Sequence, residues 1–352
     1  MQIQVPRKKK LALAISAGVL SFIALEGAAN LLLAWSDREP TGITERSHCV
    51  YDPLLGWVNE KNLSVENLYG PGLTLTTNER GLRGSTPVAS TTPPDRFRIL
   101  CLGDSFTLGH GVDDRATFPA WLERLTPKVQ AINMGQGGYG IDQCYLWYRR
   151  DADDLQADVV LLSFIAPDFA RMLDERFQGD YPKPRLTLEG DALVLPREPL
   201  TREWTRGSPT LGGFAGNLAL RELLLRLGRQ LGKGGRPALE VAAVDDYRAL
   251  GEALLLDLKR LVEERGGRLA LAHIPLRDPG ASNPDALLKW LGPFARSLDL
   301  PLIDLRDDFT HFVPGEAASL YLEDGHMNAS GNRRIAELLL ARLREHFPAL
   351  AD

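Results

Sequence analysis

Ser105 stands where an apolar run, Phe97 to Leu102, gives way through Gly103-Asp104 to a stretch of helical character. A serine at such a junction presents its hydroxyl at the carboxyl edge of an open α/β sheet, where such sheets hold their sites. The helix start behind it offers free backbone N–H groups and a partial positive charge, which suit a developing oxyanion. Two roles fit the position: Ser105 is a nucleophile, or it caps the helix and closes an ordinary turn. A nucleophilic hydroxyl needs a base. Of the six histidines, His326 has the best company, since it precedes the last helical stretch and is flanked by Asp324, Gly325 and Asn328. An acidic residue two or three positions away can orient the imidazole and stabilise its protonated form. His110, set between Gly109 and Gly111, is expected to line the cleft. His273, at a strand end, is expected to be structural, and His48, His311 and His346 lack acidic company of this kind.

Residues 221 positions apart meet only if the fold brings them to one edge. The periodicity predicts strands at Phe97–Leu102, Val129–Asn133, Val159–Phe164, Arg268–Ile274 and Pro301–Leu305, most of them short continuous apolar runs. Helices are expected around Phe118–Leu125, Ile141–Ala152, Asp245–Arg265, Pro284–Leu298 and Ala329–Phe347. Strands alternating with helices argue for a parallel sheet covered on both faces. Residues 36–95, rich in Pro, Gly, Asn and Thr, read as a strand- and turn-rich extension that ends at Thr91-Thr92-Pro93-Pro94. Arg185 to Leu195, with Glu189-Gly190-Asp191 at its centre, reads as a β-hairpin. About 212–231 reads as a leucine- and arginine-rich amphipathic helix, and about 175–240 as an insertion that shapes the mouth of the site.

Composition narrows the class. Apolar residues make up 44% and charged residues 25% of the 352, a globular mix, and the net charge of -5 argues against a nucleic-acid partner. The three cysteines, Cys49, Cys101 and Cys144, form no C-x-x-C pair, so no metal site is expected from them. Cys101 reads as a small core residue, and a Cys49–Cys144 disulfide is open in an oxidising compartment.

The start of the chain speaks to location. Arg7, Lys8, Lys9 and Lys10 precede a largely apolar stretch from Leu11 to Trp35 whose one charged residue is Glu26. Such a stretch is long enough to cross the ~30 Å hydrocarbon layer, and its basic flank would stay cytoplasmic. The expectation is a single transmembrane anchor over 11–35 with a cytoplasmic tail at 1–10; a signal peptide cleaved near Gly27 or Ala29 is the alternative. Either way the rest of the chain lies on the extracytoplasmic side, periplasmic or at the cell surface.

Three blocks carry a resemblance. Gly103-Asp104-Ser105-Phe106-Thr107 with Gly109 and Gly111, then Asn133-Met134-Gly135-Gln136-Gly137-Gly138, then Asp324-Gly325-His326-Met327-Asn328 with Gly331 resemble the blocks of the SGNH/GDSL hydrolases, in family order from about 97 to 345. The resemblance implies an α/β fold, a three-layer αβα sandwich of flavodoxin-like character over 96–352. It implies Ser105 as nucleophile, His326 as general base, and the amides of Ser105 and Gly138 as two arms of an oxyanion hole. Alignment on Asn133 favours Gly138 over Gly135 or Gly137. It implies no metal and no organic cofactor.

Two departures stand out. Where the family has an asparagine that completes the oxyanion hole, this chain has Pro167, followed by Asp168; proline has no N–H to donate. Loss of one such donor lowers rates by on the order of 10²–10³. Asp168 reads as a helix cap before a catalytic group. Many family members carry the acid three positions before the histidine, which here is Glu323; the two-before position is Asp324, the spacing of related extracytoplasmic members that include polysaccharide O-acetyltransferases. Asp324 is preferred, with Glu323, Asp104 and Asp168 in reserve. The expected function is a serine esterase acting on acyl, in first place acetyl, esters of an extracytoplasmic carbohydrate or lipid-linked substrate. The alternatives are an O-acetyltransferase of a cell-surface polysaccharide and, because of Pro167, an inactive carbohydrate-binding or assembly protein on the same fold.

Overall fold

The computed structural model describes residues 16–18, 20–29, 47–177, 181–196, 199–200, 243–278, 283–310 and 317–350. The chain divides into two compact units. One comprises Met1–Thr44 with Gly207–Leu239, the other Glu45–Arg206 with Glu240–Asp352. Of the first, residues 16–18 and 20–29 are described and are helical, with Leu20, Phe22, Ile23 and Leu25 exposed. Among the described residues no helix is long and apolar enough to cross a membrane. The expected span therefore has no described counterpart: the remainder of 11–35 and the expected helix at about 212–231 lie outside the described residues.

The second unit is built on five strands: β1 (Phe97–Gly103), β2 (Val129–Gly135), β3 (Val159–Phe164), β4 (Arg268–His273) and β5 (Leu302–Asp304). They pair in the order β5-β4-β3-β1-β2, all parallel. Every residue of β1 and β3 is buried, which is why these strands read as unbroken apolar runs and do not alternate. Alternation still decides the face. Leu100, Leu102, Val160 and Leu162 pack with Tyr145, Leu254, Leu258 and Trp290 on one side. Ile99, Cys101, Val159 and Leu161 pack with Phe118, Leu122, Ile335 and Leu339 on the other. The first face is covered by α3 (Ile141–Asp151), α4 (Val244–Glu264) and α5 (Pro284–Ser297), the second by α2 (Phe118–Leu125) and α6 (Ala329–His346). Thr117, Asn283 and Asn328 cap α2, α5 and α6 through side-chain oxygens, so the helix starts are set by the residue types that favour them.

The strand and helix bounds differ from the sequence expectation by a residue or two. The largest shift is in β2, which runs on to Gly135 because Gly135 pairs with Gly103. Residues 47–95, the described part of the expected extension, lie in the same compact unit as the sheet. A hairpin of Cys49–Asp52 and Gly56–Asn59 sends Trp57 Nε1 to Gly137 O at 2.9 Å and Asn59 Nδ2 to Gly135 O at 3.2 Å. Arg83, nearly fully buried, donates to the carbonyls of Leu108, Gly109 and Val112. Loops at a sheet edge expose carbonyls that must find donors, and the extension supplies them. Thr187–Glu189 pairs with Ala192–Val194 around Gly190-Asp191, the hairpin the sequence announces. Of the expected insertion, Tyr181-Pro182-Lys183 is buried within the body. Cys49, Cys101 and Cys144 are buried and in no disulfide, so the Cys49–Cys144 disulfide is not formed.

Candidate active site

The strand order places the switch point between β1 and β3, where doubly wound sheets open a crevice at their carboxyl ends. β1 ends at Gly103, and a one-turn helix α1 (Ser105–Leu108) begins two residues later. Gly103 has to be glycine: a Cβ there would lie 2.2 Å from Thr107 Oγ1 and 2.5 Å from Ser163 O. The alternative roles of Ser105 separate at α1. Asp104 is the cap, its Oδ1 accepting from Phe106 N at 2.9 Å. Ser105 is left as the first helical residue, with its hydroxyl free for other work.

That hydroxyl lies 2.9 Å from His326 Nε2. His326 sits in a tight turn before α6, in which Leu322 N donates to His326 O at 2.7 Å and Gly325 takes a φ of 94°. Asp324 faces the other side of the ring, its Oδ2 3.1 Å from His326 Nδ1. The distance is that of an ion pair, but Nδ1 makes no directed hydrogen bond, so Asp324 holds the ring by charge more than by a linear N–H···O. Its other oxygen accepts from the His326 backbone N–H at 3.0 Å. Glu323 contributes only its backbone carbonyl, which accepts from Arg277 Nη2. The two-before acid is the one brought to the imidazole.

A second histidine joins this group. His110 Nε2 is 3.4 Å from Asp324 Oδ2, and its ring lies 4.3 Å from that of His326, 32° from parallel. His110 and His326 together hold the Asp324 carboxyl well below the usual carboxylate range. His110 thus shares the acid and does more than line the cleft. One ligand atom from each of His110, Asp324 and His326 falls within 4.8 Å of the others, close enough to surround a cation. The near-parallel rings oppose that use, because a metal bound by both would have to lie in both ring planes.

The oxyanion side is built from backbone. Among the described residues neither Ser105 N–H nor Gly138 N–H has an acceptor, two orphan donors at the edge where Ser105 stands. Gln136 N donates to Gly103 O at 3.1 Å, tying the glycine loop to the strand that carries Ser105. Gly138 has a φ of 76°, and a Cβ on it would meet the Phe177 ring at 2.4 Å. Phe177 stacks on Trp57, whose indole holds Gly137 O. The loop is therefore fixed from outside by two aromatic residues that the sequence did not single out.

The third block lies at the end of β3. Pro167 opens a short helical turn, Pro167–Ala170, and donates nothing. Asp168 is buried; its Oδ2 accepts from Ile165 N at 3.0 Å, and its Oδ1 accepts from Arg171 Nη1. It braces its own turn from within: the N-cap position is Ala166, with no side-chain cap bond, so Asp168 is not the helix cap the sequence suggested. Burial, and after it the neighbouring Asp104, push the Asp168 carboxyl well above its ordinary range. Burial also raises Asp104, against the pull of Arg171. Asp104 Oδ2 is 3.5 Å from Ser105 Oγ, so Asp104 touches the Ser105 hydroxyl, which also contacts His326 Nε2.

No family model matches the sequence, and no curated protein matches it. Among solved structures, the chain is similar to a lipase/acylhydrolase from Enterococcus faecalis, at 14% identity and a TM-score of 0.43, over 71% of this chain and 96% of that one. It is similar to a catalytic mutant of an acetylxylan esterase from Geobacillus stearothermophilus, at 14% identity and a TM-score of 0.39, over 72% and 96%. A member of the lipolytic protein G-D-S-L family from Veillonella parvula DSM 2008 is similar at 14% identity and a TM-score of 0.38, over 70% and 97%. The parallel order 2-1-3-4-5 and the Ser105–His326–Asp324 contacts are an α/β arrangement of the kind that the resemblance to the SGNH/GDSL hydrolases implies.

Proposed function

We propose that the chain is a serine esterase that removes acyl groups, in first place acetyl, from a carbohydrate or lipid-linked substrate outside the cytoplasm. The observation that carries the reading is the 2.9 Å contact of Ser105 Oγ with His326 Nε2 beside two unpaired backbone amides. Ser105 Oγ attacks the ester carbonyl while its proton passes to His326 Nε2. The charge on the carbonyl oxygen is met by the N–H groups of Ser105 and Gly138. The tetrahedral species collapses, and the leaving alkoxide takes the proton from His326. Water then attacks the acyl-enzyme, gives a proton to His326, and the acid leaves as Ser105 recovers its hydrogen. Asp324 steadies the imidazolium in both halves.

Transfer to a sugar hydroxyl, as in a polysaccharide O-acetyltransferase, uses the same acyl-enzyme. It is favoured by the acid two positions before the histidine, which faces the ring here. The extracytoplasmic setting rests on the basic cluster at Arg7–Lys10, the apolar stretch behind it, and the exposed apolar side chains of residues 20–25.

The test is hydrolysis of a chromogenic acetyl ester by the full chain, with and without an acetyl-accepting polysaccharide. Turnover well above that of Ser105→Ala supports the esterase, and a product shift to acetylated polysaccharide supports transfer. A folded protein that neither turns over nor reacts with a fluorophosphonate at Ser105 returns the chain to the inert, binding reading. The acid is tested in the same assay. Asp324→Asn is expected to lower kcat by about 10²–10⁴, the range seen when a triad acid is neutralised, whereas Glu323→Gln stays within about twofold. Equal losses in the two variants would remove Asp324 from its role.

A further inference from the structure

Among the described residues, Arg171 is the one cation that reaches every block of the site except the histidine turn. Its Nη1 contacts Asp168 Oδ1, lies 3.5 Å from Asp104 Oδ2, and donates to Tyr139 O at 3.2 Å. Asp104 is the residue before Ser105, and Tyr139 is the residue after Gly138. Nη1 is therefore wedged between the neighbours of the two backbone donors. The helical turn that starts at Pro167 continues through Arg171–Leu173. In such a turn position i+4 shares the face of position i, so Arg171 stands one turn behind the place where the family's asparagine would be. Its side chain is long enough to reach back from there. All its protein partners are on Nη1; Nη2 and Nε have none among the described residues, and the side chain is 22% exposed.

We propose that Arg171 is the third donor of the oxyanion hole, its guanidinium taking the part that Pro167 cannot play. The inference rests on the serine-esterase reading. A cationic donor also answers the two carboxyls packed around it, Asp104 and Asp168, the first of them 3.5 Å from Ser105 Oγ. The guanidinium sits between them, offsets their field, and keeps N–H groups to spend on the carbonyl oxygen. An oxyanion donor acts on the transition state, so its loss appears in kcat and not in KM.

Three variants test this in the acetyl-ester assay. Arg171→Lys keeps a cation against Asp104 and Asp168 but loses the fork, and Arg171→Gln keeps donors but loses the charge. Both are expected to lower kcat, by at least tenfold for lysine and by about 10²–10³ for glutamine, with KM within threefold and a native far-UV spectrum. Pro167→Asn, added to Arg171→Lys, is expected to recover tenfold or more, because it restores an amide donor at the vacant corner. If Arg171 merely held the carboxylates together, lysine would keep wild-type kcat within threefold and asparagine would recover nothing; either result overturns the proposal. A wild type no faster than Ser105→Ala and unlabelled by a fluorophosphonate overturns the esterase reading and this inference with it, whereas an active wild type with unaffected Arg171 variants overturns the inference alone.

Discussion

Ser105→Ala is expected to lose about 10⁴-fold or more of the turnover of an acetyl ester, the scale of a lost serine nucleophile, while its stability changes by less than about 1 kcal/mol. The two halves of this result come from one local arrangement. The hydroxyl contacts His326 Nε2 at 2.9 Å and the flank of Asp104 at 3.5 Å. It does not cap α1, since Asp104 does. A capping serine would show the reverse pattern, with stability falling by about 1 kcal/mol and activity nearly intact. Unfolding by denaturant beside the ester assay separates the two. The same assay against pH carries a sign. Asp324 is held ionised well below the usual carboxylate range by His110 and His326. A depressed carboxyl pKa leaves Asp324 charged, and the rate it supports intact, as the pH falls through the ordinary carboxylate range. In His110→Gln the carboxyl loses the first of the partners that depress it, so its protonation, and the acid limb of the rate that follows from it, is expected to shift to higher pH. An unmoved limb would show that His110 only packs against the ring.

Much of this site is visible in the sequence because its parts are local. A parallel strand buried on both faces must be apolar throughout, so β1 and β3 announce themselves. The residue types at the ends of β1 and β2, Gly103-Asp104-Ser105 and Gly135-Gln136-Gly137-Gly138, are those that tight strand-to-helix loops demand. Asp324 and His326 are two apart, so their meeting requires only a turn. What the sequence hides is partnership across distance. His110 and Asp324 are remote along the chain and share no pattern, yet both converge on the one imidazole. The extension looks separable because its composition is that of loops, but its hydrogen-bond donors are spent on carbonyls of the body. Arg171 carries a faint signal: it lies four positions after a proline that fills an expected asparagine position, beside an aspartate that needs a counter-charge. Asp168 itself turns into its own loop, where its Oδ2 accepts from Ile165 N.

The largest expected structural effect belongs to a glycine with no chemical role. Gly135→Ala is expected to lower the stability of folding by about 3 kcal/mol, at the upper end for overpacking, and to take esterase activity down with it. A Cβ at 135 would lie 2.1 Å from Leu108 N, 2.5 Å from Thr107 C and 2.6 Å from Leu108 Cα. All three atoms are backbone, so no side chain can swing aside to make room. The backbone they belong to is α1, whose first residue is Ser105. Any relief must move α1 or the end of β2, and Asn133 and Asn59 hydrogen bonds to Gly135 resist the second. Movement of α1 shifts Ser105 relative to His326, and a displacement of about 1 Å at a reacting group lowers rates by on the order of 10². Gly325→Ala makes the control. A Cβ there meets nothing within 4 Å, but the φ of 94° is one that side chains rarely adopt, so the penalty is backbone strain of about 1–2 kcal/mol in the turn that carries His326. If both variants lose stability equally, close approach is not what fixes Gly135, and the packing of α1 against β2 is looser than the distances say. If Gly135→Ala unfolds at clearly lower denaturant, the nucleophile is held in place by contact between two backbones, which no residue type but glycine allows.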